Sequence, residues 1–155
     1  MTRKQLAAMV GGGVVTLALS VPFLWSVPSV RSTTVTVYKT PTCVCCVYWV
    51  DHLRENGFDV DSRDLPDLRA IKAENGVSPG LASCHTALLD GYVFEGHVPA
   101  DLVAEVLRDR PEILGLSVPG MIVGSPGMEV PGQPAQPYDV LAFDAQGKVS
   151  VYASR

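Results

Sequence analysis

Three of the chain's four cysteines fall within four consecutive positions, Cys43-Val44-Cys45-Cys46, and the fourth, Cys84, stands directly before His85. Cysteines spread through a core for packing do not gather in this way. A gathered set means thiolates converging on a shared target, either a soft metal or a redox partner. It also demands a fold that carries Cys84 back to the Cys43–Cys46 turn. Neighbouring Cys45 and Cys46 would form a strained bridge. Cys43 and Cys46 have the Cys-x-x-Cys spacing of a redox pair, and Cys84 can reach any one of the three. So crowded a set does not relax easily into two structural disulfides, although an even cysteine count outside the cytosol ordinarily signals them.

The N-terminus bears on that compartment. Arg3 and Lys4 precede an uncharged stretch from Gln5 to Val30, the pattern of a charged n-region followed by an apolar h-region. Basic residues stay on the cytoplasmic side, so the remainder is expected to be exported, to the periplasm or another extracytoplasmic space. Residues 1–32 therefore read as a signal peptide or an N-terminal membrane anchor. There is no Ala-x-Ala cleavage motif; Val27-Pro28-Ser29 is the best small-residue site. The stretch 5–30 is long enough to cross a bilayer, although Gly11-Gly12-Gly13, Pro22 and Pro28 weaken it as a helix. No cysteine lies near its end, which excludes a lipoprotein anchor. Membrane contact is expected only through this segment. The formal net charge of -4 excludes a nucleic-acid binder built on a basic patch.

Residues 33–155 read as one domain of 155 in all. Thr33 to Lys39 alternates and is β-branched, which predicts a strand. Thr40-Pro41-Thr42 ends it, with Thr42 as the expected N-cap of a helix from Cys45 to Asn56. Cys46, Trp49, Val50 and Leu53 share one face of that helix, and Gly57 stops it. A strand over 58–62 and a helix over 65–75 follow. Ser83 to Leu89 and Tyr92 to Glu95 flank an Asp90-Gly91 turn and predict a hairpin. Pro99 opens another helix, 113–116 is ambiguous, and 138–143 with 148–152 make a final hairpin. Strands alternating with helices, then hairpins, predict an α/β fold with a central mixed sheet, flanking helices and a C-terminal β-hairpin. A cysteine turn between the first strand and helix is thioredoxin-like. Such a fold sets a cis-proline beside that turn, and Val118-Pro119 is the candidate. Thiolates at a helix N-terminus gain from its unpaired N–H groups and its dipole.

The run Tyr38-Lys39-Thr40-Pro41-Thr42-Cys43-Val44-Cys45-Cys46, with Trp49, His52-Leu53 and Gly57-Phe58, resembles the start of the CopG-like family of exported copper-resistance proteins. The resemblance continues through Ser83-Cys84-His85-Thr86-Ala87, Gly91-Tyr92, Glu95-Gly96-His97-Val98-Pro99-Ala100, Val118-Pro119-Gly120-Met121 and Gly124-Ser125-Pro126-Gly127-Met128-Glu129. It covers roughly 34–152. It implies a thioredoxin-like, metal-binding domain that holds copper through its cysteines as a multinuclear Cu(I)–thiolate cluster. Two positions depart from the family pattern: Val44 replaces a usual glycine, and Ile122 a usual proline.

Four thiolates suit Cu(I), zinc or iron–sulfur. Tetrahedral zinc favours two separated pairs, whereas three cysteines in four residues plus a distant fourth suit sulfurs bridging several Cu(I) ions. Cys43, Cys45, Cys46 and Cys84 are the expected metal ligands. Cys84 and His85, as strand neighbours, point to opposite faces and cannot easily face one metal, so His85 is equally a candidate metal ligand and a histidine held by hydrogen bonds. His97, in a loop, gains a ligand role through the resemblance. Met121 and Met128 offer soft thioethers near a copper entry route, although a methionine is more often core. His52 is expected to be solvated or packed, and Trp49 to pack under the cysteine turn. Two functions follow. One is an exported protein holding Cu(I) for copper resistance or homeostasis, with copper ions and other copper-handling proteins as partners. The other is a periplasmic thiol–disulfide oxidoreductase in which Cys43 or Cys45 attacks, Cys46 resolves and Pro119 shapes the substrate groove. A disulfide-stapled interaction domain without metal is the third and blandest possibility.

Overall fold

The structure is a computed structural model and describes residues 34–155; the expected signal or anchor segment lies outside them. The elements run β1 (Val35–Lys39), α1 (Val44–Glu55), β2 (Val60–Asp64), α2 (Arg69–Glu74), β3 (His85–Leu89), β4 (Tyr92–Gly96), α3 (Ala100–Asp109), β5 (Gly115–Val118), β6 (Asp139–Phe143) and β7 (Val149–Ser154). They form one seven-stranded sheet in the order β2-β1-β3-β4-β5-β6-β7. β1 pairs parallel to β2 and antiparallel to β3, and β3 pairs antiparallel to β4. These four strands with α1, α2 and α3 are the thioredoxin-like α/β arrangement expected, and β6 with β7 is the expected C-terminal hairpin. No helix among the described residues is long and apolar enough to cross a membrane.

Local chemistry accounts for most of these elements. Val35 and Val37 alternate inward from β1 and are fully buried. Cys46, Trp49, Val50 and Leu53 form the buried stripe of α1, the spacing that one helical face requires. Asp90 and Gly91 both take positive φ, 50° and 87°, which gives the β3–β4 hairpin its two-residue turn. The larger core joins α1 and α3 to one sheet face through Trp49, Leu53, Val103, Val106, Ala87 and Phe94. A smaller cluster of Val77, Leu81, Val93 and Phe143 covers the other face; Val93 and Phe94 go to opposite sides because strand neighbours alternate.

Four expectations need correction. The helix expected over 65–75 shortens to Arg69–Glu74, and the strand expected over 58–62 shifts to Val60–Asp64. Cys43, not Thr42, is the N-cap of α1, and no side chain caps it. There is no cis peptide bond among the described residues, so Pro119 is trans. Pro119 follows β5, and β3 and β4 stand between β5 and β1. It is therefore the start of β3 that meets the cysteine turn.

Candidate metal centre

Sheet topology gathers the site at one end of the neighbouring interior strands β1, β3 and β4. Lys39, the last residue of β1, pairs with His85, the first of β3. Thr86 pairs with Glu95, so the end of β4 adjoins the start of β3. The cysteine turn, Cys84-His85 and Gly96-His97 therefore converge although they are far apart in sequence.

The sulfur atoms meet as the sequence requires. Cys45 Sγ lies 3.6 Å from Cys43 Sγ and 3.9 Å from Cys84 Sγ. Cys46 Sγ lies 3.7 Å from the Cys84 carbonyl oxygen. Cys43 and Cys46 are joined as a disulfide, leaving Cys45 and Cys84 as free thiols. Potential ligand atoms of Cys43, Cys45, Cys46 and Cys84 all lie within 4.8 Å of one another, and those of Cys84, His85 and His97 form a second such group. Cys84 is common to both.

The histidines correct the sequence reading. β3 begins at His85, so Cys84 lies just outside the strand and is not bound by its alternation. Its sulfur sits 3.3 Å from His85 Nδ1 and 3.0 Å from His97 Nε2. His97 is fully buried, and its Nδ1 donates to the Pro126 carbonyl at 2.8 Å. That bond assigns the tautomer and leaves the Nε2 lone pair facing Cys84, the outer-partner arrangement seen for metal-bound imidazoles. His85 is also fully buried, packed on the Trp49 ring at 4.3 Å between centroids, and its Nε2 has no hydrogen-bond partner. Soft thiols, an imidazole lone pair held toward them and an unsatisfied buried ring nitrogen together fit a soft metal better than a purely structural core.

The loop carrying Pro126 closes over the site. A Cβ at Gly127 would lie 2.7 Å from the Trp49 backbone nitrogen and 3.1 Å from the Cys45 carbonyl, so only glycine lets the loop press onto α1. Met121 and Met128 lie on this loop, Met121 largely exposed and Met128 half-buried. His52 has a structural task, since its Nε2 accepts the Ala100 N–H at 3.1 Å and caps the start of α3. Trp49 packs under the turn as expected and donates from Nε1 to the Val98 carbonyl at 2.8 Å.

Burial pushes the Cys84 thiol up to about 12, with the adjacent Cys45 adding to it. Burial holds His97 below its ordinary value, partly offset by the Pro126 carbonyl. His85 is held well below its ordinary value by burial first, then by His97 and Lys72. In the metal-free protein Cys84 and His97 therefore form a neutral pair, and a soft cation binding there displaces the thiol proton. A stability prediction follows. Both imidazoles take up protons more readily in the unfolded chain, so their contribution is complete above about pH 6.5 and is lost as the pH falls. The urea midpoint of the metal-free protein should drop between pH 7.5 and pH 5, and a midpoint that stays level would contradict it.

Sequence reasoning gave no role to Glu95, Lys72 or Ser83; the buried carboxylate of Glu95 meets the Lys72 ammonium and the Ser83 N–H, one residue before Cys84. The available signal was a single carboxylate in the otherwise uncharged strand Tyr92-Val93-Phe94-Glu95-Gly96.

Residues 81–128 match the family described as Protein of unknown function, DUF411. The chain is similar to a solved structure of the copper resistance protein copG, form 2, with TM-score 0.75 and 41% identity over 79% of this chain and 98% of that one. Form 1 gives TM-score 0.74 and 41% identity over 79% of this chain and 96% of that one. No curated protein matches the chain.

Proposed function

Because the chain belongs to the family of the copper resistance protein CopG, we propose that it binds Cu(I) through Cys43, Cys45, Cys46 and Cys84, as a multinuclear thiolate cluster, in copper resistance or homeostasis. The observation that carries this is the position of Cys84, the one residue shared by the four-cysteine group and the cysteine–histidine group. A sulfur standing between two donor sets is suited to bridge metal ions. His97, with its lone pair turned inward, and His85 complete the donor set. Met121 and Met128 line the route by which copper arrives. The domain over 33–155 works outside the cytosol, with 1–32 as its signal or anchor. Copper comes from and passes to other copper-handling proteins.

Four thiolates require the Cys43–Cys46 disulfide to be reduced by two electrons. Anaerobic titration of residues 33–155 with Cu(I), against a chromogenic chelator, tests the proposal in both redox states. The reduced form should retain several Cu(I) ions and the disulfide form fewer. Failure of the reduced form to hold any Cu(I) against the chelator would sink it.

One observation favours a second reading, thiol–disulfide exchange. Cys45 Sγ lies 3.6 Å from a sulfur of the Cys43–Cys46 disulfide. Cys84, by contrast, is a poor attacking thiol because its pKa is raised. Reduction of a small-molecule disulfide by the metal-free protein separates the two readings.

A further inference from the structure

Glu95 is fully buried on β4, and a buried carboxylate must find compensation. Lys72 of α2 pairs with its Oε1, and Thr86 Oγ1 donates to Oε2 at 2.7 Å. These contacts tie the carboxylate to α2 and β3. A further contact has another effect: the backbone N–H of Ser83 donates to Oε1 at 2.6 Å. An anion thus grips the chain one residue before Cys84. The same segment is held by Ser117 Oγ on the Leu81 carbonyl at 2.7 Å and by Ser83 Oγ on the Gly120 carbonyl. Those bonds are neutral, whereas the Glu95 bond is charge-assisted and roughly twice as strong. Outer partners of this kind orient metal ligands.

We propose that Glu95 is the positioning residue for Cys84, on the reading of the cysteine group as a metal centre. Its carboxylate fixes the Ala82–Ser83 peptide, and so holds the chain from which Cys84 sets its sulfur between Cys45 and His97. Lys72 neutralises the buried charge, so the anion does not add to that of the thiolates nearby.

Two charge-neutral variant pairs test this in residues 33–155. Lys72→Met with Glu95→Gln keeps an oxygen for the Ser83 N–H; Lys72→Met with Glu95→Leu removes it. In the reduced, metal-free protein, alkylation of Cys84 by iodoacetamide is followed by peptide mass spectrometry. The Leu pair should alkylate Cys84 faster and hold Cu(I) about 10–100-fold less tightly, the usual cost of losing an outer partner. The Gln pair, which keeps the acceptor but not its charge, should fall between the wild type and the Leu pair in both measurements. Leu and Gln pairs that behave alike in both would overturn the proposal. A wild type that holds no Cu(I) sinks the metal reading, while the alkylation comparison still decides the role of Glu95. Should the Leu pair lose its near-UV circular dichroism, exchange of the Ser83 amide in the wild type decides instead. Protection lasting to global unfolding supports the grip, and exchange at the rate of an open loop refutes it.

Discussion

Replacing Cys84 with serine should lower Cu(I) retention by about 100-fold or more, at least the upper end of what losing even an outer partner costs. Cys84 alone belongs to both groups of clustered donors. Without its sulfur, Cys43, Cys45 and Cys46 remain on one turn and His85 with His97 across from them, with nothing to bridge the two. The substitution is nearly isosteric and Cys84 is only half-buried, so the fold should survive. Cys45→Ser leaves Cys84 beside His97 at 3.0 Å, and should cost less. Chelator competition with reduced protein, alongside near-UV circular dichroism, measures both effects. Equal retention by wild type and Cys84→Ser would refute the bridging role.

How much of this site could be read from the chain depended on how local each contact was. The stripe Cys46, Trp49, Val50, Leu53 was legible because helical spacing is a property of neighbours. The Asp90-Gly91 turn was legible because few residues tolerate positive φ. β5 was not, since Gly115–Val118 is buried at every position and shows no alternation. The sharing of one site by Cys84 and His85 was hidden by a single residue: had the strand begun at Ser83, their side chains would have diverged. The cis-proline expected at Pro119 is a trans peptide, and Pro119 follows β5 with two strands between β5 and β1, a placement hidden because sequence order does not give strand order. Glu95 had no readable role because its partners Lys72 and Ser83 reach it through tertiary contacts, from α2 and from the loop before β3. The convergence of the cysteines was the easiest to read, since three of the four are held together by spacing alone.

Trp49→Ala should destabilise the protein by about 3–5 kcal/mol, the range for emptying a large aromatic site in a core. Trp49 is fully buried, its ring packs on His85, and its Nε1 supplies the donor for the Val98 carbonyl. Trp49→Phe keeps much of the volume but leaves that carbonyl unpaired, and should cost about 1–3 kcal/mol. The consequences should reach the proposed metal centre. His85 stands between the Trp49 ring and His97, with 5.0 Å between imidazole centroids, so removing the indole frees His85 to leave its place beside Cys84. Leu53→Ala is the control. Leu53 is fully buried on the same helix one turn further on, and its loss should cost about 2–5 kcal/mol without loosening His85. Urea unfolding and Cu(I) competition on the folded proteins separate the two effects. Trp49→Ala should weaken copper retention and Leu53→Ala should not. Equal losses of retention in both would reduce Trp49 to a core residue whose contact with His85 has no bearing on the metal.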